Sequence, residues 1–170
     1  MANYVALLRA VNVGGTGKLP MTDLQKICRD AGFNHVRTYI ASGNVVFQSA
    51  ASSTIVKKEL EAGLLSHLGK SVEVVVRTAS EMRDILEGNP FPKAAPNRTV
   101  VIFLEDRPPL DALKFATGIH YEEMLLRGSE IYIHYGDGMR DSKLKIPAAK
   151  KGTARNLNTV AKLADMVGSL

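Results

Sequence analysis

The chain has 170 residues, 45% hydrophobic and 23% charged, enough for one good core or one core plus a subdomain, with the balance of an ordinary globular protein. A single cysteine, Cys28, excludes an intramolecular disulfide and fits a reducing compartment. No stretch approaches the roughly 18 apolar residues of a membrane span, and the N-terminus lacks the basic-then-apolar pattern of a signal peptide.

The expected location is therefore the cytoplasm, with no membrane partner. The net charge of +5 is carried by residues 139–170, where seven Lys and Arg stand against Asp141 and Asp165. That local excess points to an anionic partner or to a solvated surface segment.

Tyr4–Arg9 holds an apolar run, Val5–Leu8, too short for a helix and right for a buried strand. A polar loop follows with Arg9, Asn12, Gly14, Gly15, Gly17 and Lys18, and Pro20 opens a helix over 21–31. Met21, Leu24, Ile27 and Cys28 recur at helical spacing, which makes Cys28 a packing residue rather than a nucleophile. Gly32 is the C-terminal stop.

His35–Ala41 and Val45–Gln48 read as strands joined by Ser42-Gly43-Asn44. Ser52, Ser53 and Thr54 offer caps for a helix to Leu68, closed by Gly69, and Val72–Arg77 is a fourth strand. The order βαββαβ is that of a ferredoxin-like α+β fold. It predicts an antiparallel sheet in the order 4-1-3-2, with both helices on one face.

Ser80 is expected to cap a short helix with Met82, Ile85 and Leu86, and the proline-rich 89–96 connection is the expected boundary between two subdomains, 1–88 and 97–170, the alternative being one compact unit. The second, a smaller α+β subdomain, begins with a strand at Val100–Leu104 and a helix through Leu113 and Phe115. Strands at Glu123–Arg127 and Glu130–Tyr135 follow, joined by Gly128-Ser129. A final helix carries Leu157, Val160, Leu163 and Val167, with Thr153 or Asn156 as its N-cap. The second half thus begins β-α-β-β like the first, without a residue-level repeat.

Three stretches together resemble a known family: LLRAVNVGGTGKLPM near the start, the VRTYIASGNVVF hairpin and GTARNLNTVAKL near the end. The chain resembles the bacterial family of uncharacterised proteins termed domain of unknown function 1697 (DUF1697), nearly end to end. The resemblance implies an α+β protein with a ferredoxin-like portion and transfers no catalytic residue. Leu157 stands where the resemblance implies an aromatic side chain.

The Gly14–Lys18 run is not a phosphate-binding P-loop of the Walker type. Asn12 occupies its first glycine position, and Leu19 replaces the hydroxyl that holds magnesium. The glycines either merely turn the chain or let backbone amides and Lys18 hold an anion, and Arg9 and Asn12, polar groups a mere turn does not need, favour the second. Arg37 and Tyr39 alternate with apolar residues and are expected to share a sheet face with Arg9, and Ser42 and Asn44 stand at the hairpin turn.

The final helix is the second candidate. Its start carries Lys150, Lys151 and Arg155 with no acid between Asp141 and Asp165, against the preference of a helix N-terminus for negative charge. Lys151, Thr153, Arg155 and Asn156 form that candidate anion site. Four histidines, His35, His67, His120 and His134, have no metal spacing, so no metal is assigned. Neither a cofactor nor an oligomeric state is assigned.

Three functions stay open. The first is binding of a phosphate-bearing anionic ligand, a nucleotide or nucleic acid, through the Gly-rich loop and basic residues. The second is an enzyme acting on a small anionic substrate, and the third a protein-interaction module using the basic C-terminal segment.

Overall fold

The computed structural model describes residues 1–13 and 18–170. The chain forms two compact units, one of Met1–Arg83 with Lys162–Leu170, the other of Asp84–Ala161. The C-terminal segment therefore counts with the first unit.

In the first unit, β1 (Ala2–Leu8), β2 (Asn34–Thr38), β3 (Asn44–Ser49) and β4 (Val74–Thr78) form an antiparallel sheet in the order β2-β3-β1-β4, the order expected. The run Val5–Leu8 is central, as its lack of polar residues demands. α1 (Met21–Asp30) and α2 (Ser53–Leu68) pack on the face made by Tyr4, Ala6, Leu8, Val45 and Phe47. Phe47 stacks on Phe33 with ring centroids 4.3 Å apart, and the Tyr4 hydroxyl donates to the Ala51 carbonyl at 2.7 Å.

Local chemistry sets the helix limits. The Ser52 hydroxyl accepts the Ile55 N–H, and Gly69 ends α2 in the left-handed region at φ +73°. Edge strand β4 is tied to α2 at its start. Glu61 accepts the Val74 N–H, and Lys57 donates both to Glu61 and to the Val74 carbonyl.

The opposite sheet face carries Val5, Leu7, Val46 and Val75, all buried, so it is not a solvated polar face. The register places Arg37, Val46, Val5 and Arg77 in one row across it. Arg37 is exposed at the edge, whereas Arg77 is buried and donates to the Val76 carbonyl. Within this unit the C-terminal segment is bound to β1 by the Asn3 amide, which donates to the Val167 carbonyl at 3.0 Å.

The second unit repeats the strand plan. β5 (Thr99–Phe103), β6 (Glu123–Arg127), β7 (Glu130–His134) and β8 (Thr153–Asn156) form an antiparallel sheet ordered β6-β7-β5-β8, the first order shifted by four strands. Its core joins Leu104, Ile131, Ile133 and Ile146, with Ile102, Met124 and Leu126 against them.

Three local expectations are corrected. The helix through Leu113 and Phe115 is a single 3-10 turn, Ala112–Phe115, confined between Pro108-Pro109 and Gly118, whose φ is +71°. Of the two caps expected for the final helix, Asn156 takes the role and Thr153 does not, because Thr153–Asn156 form edge strand β8, paired with β5. For α3 (Ala79–Glu87), the cap is Thr78 rather than Ser80. The Thr78 hydroxyl accepts the Glu81 N–H, and Glu81 accepts the Thr78 N–H in return. α4 (Leu157–Gly168) closes the chain.

Candidate functional site

β1 runs antiparallel to both β3 and β4, so the end of β1 and the starts of β3 and β4 meet at one end of the first sheet. Leu8 N–H donates to the Gly43 carbonyl at 2.9 Å, and Arg9 N–H to the Glu73 carbonyl at 3.0 Å. Three connections therefore converge here: the loop 9–20, the hairpin turn 39–43 and the link 69–73.

Asn12 ties the first of these shut. Its amide donates to the carbonyls of Leu19 (2.9 Å) and Ala41 (2.8 Å), and its Oδ1 accepts the Leu19 N–H at 2.6 Å. Residues 12 and 19 are thus held to each other and fastened to the hairpin. Asn44, fully buried, does the same inside the hairpin, donating to the Tyr39 carbonyl (2.9 Å) and the Ser42 hydroxyl (2.8 Å).

The backbone here is strained. Ala10 (φ +56°), Asn12 (φ +57°) and Ile40 (φ +48°) all lie in the left-handed region. Asparagine tolerates that region, but a β-branched isoleucine is an outlier there, and such strain persists only where surrounding bonds over-determine it.

Lys18 is exposed and lines a shallow depression with Ala10, Val11 and Lys70. Arg9 is half-buried just beyond the end of β1. Among the described residues, this end of the sheet carries Arg9, Lys18 and Lys70 beside the Asn12–Leu19 hydrogen bonds that precede α1. The N-cap of α1, Pro20, makes no side-chain cap hydrogen bond. Glu73, on the link 69–73, brings a carboxylate to this neighbourhood, its backbone carbonyl accepting the Arg9 N–H.

The sequence-predicted residues separate into groups. Arg9, Asn12, Lys18, Ser42 and Asn44 are brought together. Gly14, Gly15 and Gly17, on which the cradle reading was centred, lie outside the described residues. Tyr39 lies beyond the end of β2, and Arg37 sits on the sheet edge, one strand row before the turn. Lys70 was missed, because its proximity to Lys18 arises only from the pairing of β1 with β4.

The other predicted group belongs to the second unit. Lys150 and Lys151 are exposed. Thr153 and Arg155 point to the same side of β8 and are buried, and the Arg155 guanidinium donates to the Thr153 hydroxyl (2.7 Å) and the Ala154 carbonyl (2.9 Å). Burial pushes Arg155 down to about 10, still far above neutrality, so it stays charged. Asn156 is the cap of α4, its Oδ1 accepting the Thr159 N–H at 2.9 Å. Arg155 is thus engaged within the strand layer and is not an exposed cation at the helix start. Leu157, at the position of the implied aromatic, is buried.

Cys28 is a packing residue, as its helical spacing predicts: burial pushes its thiol up to about 12. Among the described residues no group of His, Cys, Asp and Glu is arranged to hold a metal ion, and no helix is long and apolar enough to cross a membrane.

The family model described as "Protein of unknown function (DUF1697)" matches residues 1–132. A solved structure of the conserved bacterial protein SP0830 from Streptococcus pneumoniae is similar over 98% of each chain, with 23% identity and a TM-score of 0.82. At that identity the likeness shows the fold. No curated protein matches the chain.

Proposed function

The chain belongs to the DUF1697 family of proteins of unknown function, and we propose that it binds a phosphate-bearing anion, a nucleotide or nucleic acid phosphate, at the loop end of its first sheet. The observation that carries this reading is the Asn12 clamp. A loop that merely turned the chain would need neither three side-chain hydrogen bonds nor left-handed Ala10 and Ile40 beside it. Energy spent on holding a backbone in an unfavourable shape is characteristic of sites where that shape is used. Lys18, Lys70 and Arg9 supply the charge, and the loop leads into a helix N-terminus, where an anion is favoured.

The second expected anion site, Lys151–Asn156, lies in the other unit and is a separate, weaker candidate, because Arg155 is committed inside the strand layer. A buried, protonated Cys28 thiol suits a reducing compartment, and the cytoplasm is the proposed location.

Thermal denaturation in phosphate, against sodium chloride at matched ionic strength, tests the site. A ligand that binds only the native state raises the melting temperature. Phosphate is expected to raise it above chloride, and Lys18→Ala with Lys70→Ala to remove most of that rise. An equal rise in both salts, unchanged in the double variant, would exclude a specific anion site at this end of the sheet.

A further inference from the structure

We propose that the second unit carries a nucleotide site of its own, in the cavity between segments 118–122 and 135–143, where a base stacks on Tyr121 and its phosphate meets Lys143. The inference does not rest on the loop reading above. It concerns the other unit and different residues.

The cavity is about 540 Å³, within the range of small-molecule sites and ample for one nucleotide. Its walls are fixed before any ligand arrives. Thr117 and Lys145 exchange both backbone hydrogen bonds at 2.9 Å, fastening the two segments side by side. Gly118, at φ +71°, lies against the Lys143 carbonyl so closely that a Cβ would overlap it. Glu122 completes the frame. Its carboxylate accepts the His120 N–H and the Ser142 hydroxyl, each at 2.7 Å, and these bonds hold it down to about 2, so it stays ionised and occupied at neutral pH.

The side chains that remain for a ligand are of two kinds. Tyr121 is 71% exposed although aromatic, and His120 braces it edge-on with centroids 4.1 Å apart. An outward aromatic ring fixed by a neighbour is a stacking platform for a flat base. The second kind is charge. Lys143 lines the cavity, and Arg140, Lys145 and Lys151 are exposed on the same stretch of chain. Asp141 also lines the cavity. Its carboxylate repels phosphate but accepts hydrogen bonds from the amino and imino groups of a base edge, so base and phosphate have different ends to occupy.

Fluorescence anisotropy of the full chain with a labelled single-stranded oligonucleotide, across a salt series and with unlabelled mononucleotides as competitors, tests this. Saturable binding is expected. Displacement by mononucleotides would identify a free nucleotide as sufficient, and oligonucleotide binding without it would identify a strand as the ligand. Tyr121→Ala, at an exposed position and expected to melt as the parent does, should weaken binding about 5- to 100-fold. Lys143→Ala should lower the salt slope by about one. Lys18→Ala with Lys70→Ala should leave both readings unchanged, which separates this site from the loop of the first unit. Absence of saturable binding to either probe, or binding that Tyr121→Ala and Lys143→Ala leave as in the parent, would overturn the proposal.

Discussion

Gly43 sits at φ +89° in the hairpin turn, and a Cβ there would lie 2.5 Å from Val11 Cγ2 and 2.9 Å from Leu8 Cβ. Both neighbours are buried and have little room to retreat. Gly43→Ala therefore meets two penalties, backbone strain of about 1–3 kcal/mol and overpacking of similar size. Gly69 has φ +73° with nothing within 4 Å of the added carbon, so Gly69→Ala meets backbone strain alone. Urea denaturation should show Gly43→Ala losing the more stability, by about 1 kcal/mol or more, with similar m-values. Equal losses would mean that the hairpin does not press on the loop base. Both glycines were visible in the sequence as turn and stop residues. The pressure on Gly43 was not, because Val11 reaches it only through the fold.

At the scale of elements, what was legible follows from how local the determining chemistry is. α1 and α2 were legible because their apolar spacing, Ser52 and Gly69 are all within the segment itself. β8 was not: Thr-Ala-Arg-Asn has no strand-like apolar run, and its pairing with β5 over residues far apart in the chain makes it a strand. The cap of α3 was misplaced by two residues because Thr78 and Ser80 both carry a hydroxyl, and only the reciprocal bond with Glu81 distinguishes them. That distinction is measurable. Thr78→Ala should cost about 0.5–2 kcal/mol, the usual loss for a helix cap, while Ser80→Ala, inside the helix, should cost little or add slightly through helix propensity. Paired chemical denaturation of the two variants checks it, and equal effects would remove the capping role assigned to Thr78.

Across the whole molecule, two sheets follow one strand order, and in the second the places of α1 and α2 are taken by short 3-10 turns. The candidate site of the first unit was half legible for the same reason. Arg9, Asn12 and Lys18 are neighbours in sequence, whereas Lys70 joins them only through antiparallel pairing. The pairing also bears on which pieces fold. β1 is buried on both faces, and the segment Lys162–Leu170 belongs to its unit although it is the farthest from it in sequence. Removing residues 162–170 deletes Leu163, Met166 and Val167, all buried, and the carbonyl that accepts the Asn3 amide. Each fully buried side chain of this kind contributes about 1.5–3 kcal/mol, and the total stability of a domain is only about 5–15 kcal/mol. Residues 157–161, left behind, are too few to persist as a helix by themselves. In a chain ending at Ala161 the first unit should therefore lose its cooperative urea transition, read by a probe placed in that unit, and a fragment of residues 1–88, which also lacks the segment, should behave likewise. A sharp transition in the shortened chain, with a midpoint close to that of the full chain, would show the C-terminal segment to be an accessory to the first unit rather than a part of its core.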